Sequence, residues 1–309
     1  MDFTSFKNQF ENVPVVENDN LVTNKPLVSI CVQTYQHVDF ISECLDSILK
    51  QQTDFPFEII LGEDESTDGT GLICEGYANK FSDKIRFFSH KRKNNILIKG
   101  KPSGRFNMMY NLYSSNGKYI ALCEGDDYWT DPLKLQKQVD FLESHSSYSG
   151  SFHDTLTINQ SEEKPIFKPW RVYDKNIFNL EDTISNVALF HTSSFVFRKS
   201  FLEIPEWFTK VQSADMALFS IISNKGPLYR IDESMSVYRK NEGGITNTIT
   251  LKSYHSNRIK LFKYLKSYCK RSVIDNINQV ILFHSREIKK LAKPTLANRW
   301  KRRLIKLLK

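Results

Sequence analysis

The 309-residue sequence predicts an α/β fold built on a mostly parallel central sheet flanked by helices. Two observations carry that prediction. Between residues 27 and 143, short β-rich runs alternate with stretches of helical apolar spacing, the pattern of βαβ units with right-handed crossovers. Apolar residues make up 40% and charged residues 25%, ordinary globular usage that excludes disordered, collagen-like and coiled-coil chains. At about 150 residues per domain, the length suits one large α/β domain or two smaller ones.

The elements follow in order. Residues 1–26 are polar, end in Asn24-Lys25-Pro26 and read as an irregular lead-in. Leu27–Val32 (LVSICV) is the first strand. Asp39–Gln51 sets Phe40, Ile41, Cys44, Leu45, Ile48 and Leu49 at helical spacing. Phe57–Leu61 reads as a second strand, Gly71–Phe81 as a second helix and Ile85–Phe88 as a third strand. Met108–Ser115 reads as a helix and Lys118–Cys123 as a fourth strand. Pro132 is expected to open a helix running to Glu143, because its fixed φ suits a first turn. Beyond Ser144 the pattern is less regular. Phe195–Phe197 and Tyr229–Ile231 are strand-like, Met216–Ser223 is a short helix, and a long helical stretch begins at Leu251.

Net charge is +8, from 43 Lys and Arg against 35 Asp and Glu. A basic balance suits nucleic acid, an anionic membrane or phosphorylated substrates. The basic residues are spread along the chain, and no helix-turn-helix, RRM or zinc pattern accompanies them, so no nucleic-acid partner is expected. The five cysteines are scattered without a CxxC pair, which favours a reducing compartment. The first residues carry no basic and apolar signal-peptide pattern, and Ile184–Phe197 is too short and polar for a membrane span. A cytoplasmic location is therefore expected.

In an open α/β sheet, ligands bind beyond the carboxyl ends of the strands. The first strand ends in Gln33-Thr34-Tyr35-Gln36, the second in Gly62-Glu63-Asp64-Glu65-Ser66-Thr67-Asp68-Gly69, and the fourth in Glu124-Gly125-Asp126-Asp127-Tyr128-Trp129. Two of these ends are dense in carboxylates within a basic chain. Negative charge concentrated at one rim calls for a cation, and oxygen-only ligands favour Mg²⁺ or Mn²⁺ over zinc. Such an ion could hold a diphosphate. Plainer readings stand beside this one. Asp64–Glu75 matches an EF-hand calcium-loop pattern, although a β-rich run precedes it. Ser66, Thr67 or Asp68 could simply cap the next helix, and EGDDYW could be an acidic turn.

Four segments together resemble the inverting family 2 glycosyltransferases of the GT-A fold, which build bacterial surface polysaccharides. They are Leu27–Tyr35 (LVSICVQTY), Glu58–Thr70 (EIILGEDESTDGT), Gly117–Leu135 (GKYIALCEGDDYWTDPLKL) and Gly226–Gly244 (GPLYRIDESMSVYRKNEGG). The resemblance implies a Rossmann-like GT-A domain over 27–245, with a nucleotide-binding half (27–130) and an acceptor half (131–245). Residues 246–309 would form a helical extension.

It also implies residue roles. Thr34 and Tyr35 would contact the nucleotide base, Tyr35 by stacking, and Asp64 would accept a hydrogen bond from uracil N3. Glu124-Gly125-Asp126 matches the DxD-type motif, so Glu124 and Asp126 would serve the ribose and diphosphate. Asp126 and Asp127 would hold the Mn²⁺ or Mg²⁺ cofactor. Asp215 falls at the catalytic base, and Arg239 with Gly243-Gly244 at the loop that closes over the donor. The donor would be a UDP-sugar and the acceptor a saccharide or lipid-linked saccharide, joined by one in-line displacement that inverts the anomeric centre.

The sequence departs from the family pattern in places. Gln33 and Gln36 stand where Pro and Asn are usual, and Glu124 replaces the first Asp of the motif. Tyr110 occupies a position where Arg is usual, leaving Lys99, Lys101 or Arg105 as the basic contact to diphosphate. The alternative role for Asp215 is to cap the helix beginning near Met216, with Glu206 and Asp232 as the next carboxylates to consider as base.

Rival functions remain open. A nucleotidyltransferase or another metal-dependent nucleotide-sugar-binding protein would share the acidic site, although TYQHVDF lacks the Gly-rich basic loop that handles a triphosphate. In the C-terminal tail, Ala297, Trp300, Leu304, Leu307 and Leu308 share one helical face amid six Lys and Arg. That spacing suits an interfacial helix on an anionic membrane leaflet, or a solvated helix packed on the protein.

Overall fold

The computed structural model describes residues 1–23, 25–160, 162, 166–240 and 249–292. Gly243, Gly244 and the tail from Pro294 lie outside the described residues. The amino-terminal half comprises α1 (Phe3–Phe10), β1 (Val16–Glu17), β2 (Val28–Thr34), α2 (Ile41–Leu49), β3 (Phe57–Glu63), α3 (Thr70–Lys80), β4 (Ile85–Ser89), α4 (Arg105–Ser114), β5 (Tyr119–Glu124), β6 (Tyr128–Trp129) and α5 (Lys134–Ser144). There follow β7 (Gly150–Asn159), β8 (Lys168–Pro169), β9 (Ile177–Phe178), α6 (Leu180–Thr183), β10 (Val196–Arg198), α7 (Ala214–Ser223), β11 (Leu228–Lys240), α8 (Leu251–Tyr268) and α9 (Ile274–Ala292).

One sheet runs through the molecule in the order β1-β4-β3-β2-β5-β10-β7-β11-β6. Strands β4, β3, β2 and β5 pair in parallel, as the βαβ pattern requires. They are buried on both faces almost continuously rather than alternately, and the polar residues this encloses are paired, as where Ser29 Oγ donates to Glu58 Oε1 at 2.6 Å. Strand β10 then pairs antiparallel with β5 on one side and with β7 on the other, and β7 pairs parallel with β11. Helix α2 buries Ile41, Cys44, Leu45 and Ile48 at positions i, i+3, i+4 and i+7. These residues join the core on one sheet face, with Ile30, Ile59 and Ala121. On the other face, α4, α7, α8 and α9 pack over Cys31, Ile60, Ile120 and Leu122. Among the described residues, no helix is long and apolar enough to cross a membrane.

The register aligns the strand ends. Thr34 lies opposite Glu63, and Gln33 opposite Glu124. Helix α4 reinforces the alignment from below. Asn107 Nδ2 donates to the Gly62 carbonyl at 2.8 Å, and Asn111 Nδ2 to the Val32 carbonyl at 3.0 Å. A Cβ on Gly62 would lie 2.0 Å from Asn107 Oδ1, so only glycine permits this approach.

Three expectations need correction. The lead-in is not irregular: α1 is capped by Asp2 and buries Phe6, which stacks on Phe106 of α4. The helix after Asp131 begins at Lys134, because the Asp131 carboxylate accepts the Leu133 N–H and holds Pro132 and Leu133 in a turn. Strand β7 was absent from the sequence reading, and β11 extends far beyond Tyr229–Ile231. Strand β7 buries Ser151 and Thr155 beside its apolar residues; hydroxyl contacts such as Thr155 Oγ1 to Ser236 Oγ, at 3.1 Å, make that burial tolerable.

Candidate active site

Residues at the ends of β2 and β3 form the first part of the site. The Asp64 N–H donates to the Thr34 carbonyl at 3.1 Å, which locks the two ends together. Both chains then turn sharply, with Gln36 and Glu65 in the left-handed region at φ 57°. Asp64 Oδ2 accepts from Arg92 at 3.0 Å and Asn95 at 3.1 Å, while Oδ1 is buried without a hydrogen-bond partner. Burial pushes the Asp64 carboxyl up to about 6, against the lowering effect of Asn95 and Arg92. Tyr35 is 38% exposed, and the Arg92 guanidinium lies 3.9 Å from its ring centre. A planar aromatic surface thus stands beside a buried acceptor oxygen that awaits a donor. Thr34 is buried at the same place, its Oγ1 also without a partner.

Oxygens of the acidic turn after β3 are engaged within the turn itself. Glu63 accepts the N–H groups of Glu65 and Ser66, at 3.1 and 2.7 Å. Asp68 accepts from Thr70 N and Oγ1 and from Val38 N. Ser66 Oγ receives the Gln36 N–H, and Asp64 is paired with Arg92. These oxygens brace the turn; the N-cap position of α3 is Gly69, without a side-chain cap, and Asp68 instead accepts the N–H of Thr70, the first helical residue.

The end of β5 forms the second part. A Cβ on Gly125 would lie 2.8 Å from Thr34 Cβ and 2.9 Å from His37 Nδ1, so the acidic segment presses directly on the end of β2. Burial pushes Glu124 up to about 7, helped by the charges of Asp126 and Asp215, and Thr192 Oγ1 reaches its Oε1 at 3.4 Å. Asp127 is raised well above the carboxylate range by burial and by Asp126. Its Oδ1 accepts the Arg239 N–H at 3.1 Å. Its Oδ2 is buried without a hydrogen-bond partner, 3.5 Å from His191 Nδ1. His37 Nε2 is 3.8 Å from Asp126 Oδ2.

Arg239 is buried and braces this rim. It pairs with Glu43 of α2, donates to the Asp126 carbonyl at 3.1 Å and lies over Tyr128. Among the described residues, no three His, Cys, Asp or Glu side chains converge as a closed metal cage. Mg²⁺ and Mn²⁺ need no such cage when one or two carboxylates are completed by phosphate and water. The orphaned Asp127 Oδ2 and the crowded, proton-retaining carboxyls fit a divalent cation held in that manner.

Asp215 provides the third part. It lies in the first turn of α7, two residues after the N-cap position Ser213, whose side chain makes no cap hydrogen bond. The structure therefore does not show the capping role. Its charge acts on Glu124 and on Arg105. Glu206 and Asp232 are exposed, and Asp232 is paired with Arg230.

Arg105 is corrected as a diphosphate contact. It is buried and donates to the carbonyls of Phe208, Val211 and Gln212, fixing the segment that leads into α7. Tyr110 is packed among Phe3, Phe88, His90 and Phe106. Lys99 and Lys101 are exposed on the loop before α4. The sequence reading missed Arg92, Asn95, His37 and His191. His37 sits inside the quoted TYQHVDF segment, whereas only residue type could have flagged Arg92, Asn95 and His191.

Residues 29–204 match the sequence profile described as Glycosyl transferase family 2. The uncharacterized protein Mb1547 of Mycobacterium bovis is 34% identical over 223 residues, covering 71% of this chain and 60% of the relative. The chain thus spans about 60% of the length of that curated relative. Residues 1–349 of Staphylococcus aureus TarS, solved with UDP-GlcNAc, superpose with a TM-score of 0.59 at 18% identity, covering 82% of this chain and 70% of that one. The mannosyltransferase PcManGT of Pyrobaculum calidifontis, solved with GDP-Man and Mn²⁺, gives 0.54 at 14% identity, covering 99% and 87%. With a matching profile over more than half its length and this sheet, the chain belongs to glycosyltransferase family 2 and has the GT-A fold.

Proposed function

We propose that the chain transfers a sugar from a nucleotide-diphosphate donor, a UDP-sugar, to a saccharide or lipid-linked saccharide, with inversion and with a divalent cation. The carrying observation is the unpartnered Asp64 Oδ1, whose carboxylate shares Arg92 with the Tyr35 ring, at the end of a strand that β2 alone separates from the acidic end of β5. Asp64 would accept the uracil N3–H, and Tyr35 would stack on the base. Asp126 and Asp127 would hold Mn²⁺ or Mg²⁺, which when bound offsets the charge developing on the departing diphosphate. Asp215 would take the proton from the acceptor hydroxyl as that oxygen attacks the anomeric carbon from the face opposite the diphosphate. The UDP-GlcNAc held by TarS and the GDP-Man and Mn²⁺ held by PcManGT support a nucleotide-sugar donor and a metal-assisted reaction.

Asp215→Asn tests the assignment of the base. It keeps size and hydrogen-bonding shape but cannot accept the proton. UDP release in the presence of acceptor should fall by about two to four orders of magnitude, with UDP affinity nearly unchanged. Near-normal turnover would move the base elsewhere.

The proposed setting is cytoplasmic, with peripheral attachment to the inner face of the membrane through the basic tail. Deleting residues 294–309 should reduce co-sedimentation with anionic vesicles, and salt should do the same to the intact chain. Equal recovery of both chains in the soluble fraction at low salt would remove the tail from membrane contact.

A further inference from the structure

Three aromatic rings flank the acidic rim on the side of β7 and β11. His191 stacks on Tyr238 with centroids 4.2 Å apart and 28° between the planes. Trp170 meets both rings at steep angles, 5.5 Å from His191 and 5.7 Å from Tyr238. The three come from separate elements: Trp170 follows β8, His191 precedes the turn into β10, and Tyr238 lies near the end of β11. All are only partly buried, whereas the core rings Phe152, Phe190 and Phe195 are almost completely covered. Each ring thus keeps some solvent exposure, 12% for the His191 side chain.

It is also joined to the rim. His191 Nδ1 is 3.5 Å from Asp127 Oδ2 and 3.0 Å from Ser193 Oγ. A buried hydroxyl chain continues from Ser193 Oγ to Ser236 Oγ and on to Thr155 Oγ1, each step 3.1 Å. The Trp170 N–H donates to the Thr155 carbonyl at 2.8 Å, so the same stretch of β7 anchors both sides of the cluster. Just outside, Phe167 and Val172 expose 53% and 86% of their surfaces, continuing apolar area away from the rim.

An aromatic surface beside carboxylates suits a molecule with one apolar C–H face and many hydroxyls. A pyranose has both. An alkyl chain in this position would strand the polar atoms around Asp127 and His191. The nucleotide base has a separate seat at Tyr35, on the far side of the β2 end. We infer that Trp170, His191 and Tyr238 form the acceptor seat, in which a pyranose ring of the acceptor saccharide packs on the aromatic cluster and turns a hydroxyl toward the rim. The assignment rests on the sugar-transfer reading above.

The test uses the fluorescently labelled full chain, with UDP and Mn²⁺, on an array of pyranose oligosaccharides and on phosphatidylglycerol vesicles. The wild-type chain should be retained on a subset of the glycans. Trp170→Leu keeps apolar bulk without a ring and should lose about tenfold or more of that retention, whereas Trp170→Phe should keep most of it. Melting curves establish that both variants are folded. Equal retention of Trp170→Leu and wild type overturns the seat. So does wild-type retention on vesicles alone, or on no glycan at all. UDP release from a panel of UDP-sugars by the wild-type chain tests the transfer reading separately. Trp170-dependent glycan retention without any UDP release would sink that reading and leave the cluster as a glycan-binding seat rather than an acceptor seat.

Discussion

The ends of β3 and β5 both carry buried carboxylates, yet they are built for different partners. At the end of β3, Asp64 has two donors, Arg92 and Asn95, on one oxygen and none on the other. Burial raises it only to about 6, because those donors oppose the desolvation. At the end of β5, the neighbours that act most strongly on Glu124 and Asp127 are other carboxylates, chiefly Asp126. Charge there is crowded. One uncompensated acceptor oxygen suits a neutral N–H donor, while a crowded acidic rim suits a cation bringing phosphate. The lesson is that carboxylate count alone does not distinguish a base pocket from a metal rim; the donors aimed at each oxygen do.

The sharpest way to break this comparison is at Asp127. Asp127→Ala removes the orphaned oxygen from the rim, and metal-dependent UDP affinity should fall by at least about tenfold to a hundredfold in calorimetry. EDTA should weaken UDP binding to the wild-type chain in the same way. UDP affinity indifferent to EDTA would leave the β5 end as an acidic turn.

A smaller effect is expected at Asp64. Asp64→Asn should erase a preference for UDP over CDP of about tenfold, because cytosine N3 offers no proton to the carboxylate whereas uracil N3 does. If the wild-type chain binds CDP as tightly as UDP, the base seat is misassigned.

The smallest effect concerns pH. Asp64 ionises near 6 in the folded chain, above the usual 3.8, so the folded state holds a proton that the unfolded chain has already lost between those values. Its contribution to stability is therefore fully present below about 4 and is lost as pH rises through about 6. Asp64→Asn escapes that loss. It should melt a few degrees higher than wild type at pH 7, with the gap closing toward pH 4. A gap of the same size at both values would mean that burial does not perturb this carboxyl.

The same two strand ends show what was legible beforehand. Asp64, Glu124, Asp126 and Asp127 were readable because each lies directly after a β-rich run, and strand-end position follows from local pattern. Arg92 and Asn95 were not, because they reach Asp64 only through the parallel pairing of β3 with β4. Arg105 was misread for a related reason. A basic residue on a polar stretch looks solvent-facing, and only the packing of α4 beneath residues 208–212 turns it inward to three carbonyls. Strand β7 escaped notice because its hydroxyls look exposed until Thr155 and Ser236 are found facing each other across the β7–β11 pair.

By itself, then, the sequence determined the α/β class, the order of the parallel strands' elements and the acidic ends, since these depend on local periodicity and composition. Tertiary structure decided which oxygen is satisfied, which arginine is spent on backbone and which rings border the rim. Those outcomes depend on contacts between residues far apart in the chain, such as Arg239 with Glu43 and His191 with Asp127. No local pattern encodes such distances, because they are fixed by strand register and by the close approach that Gly62 and Gly125 allow.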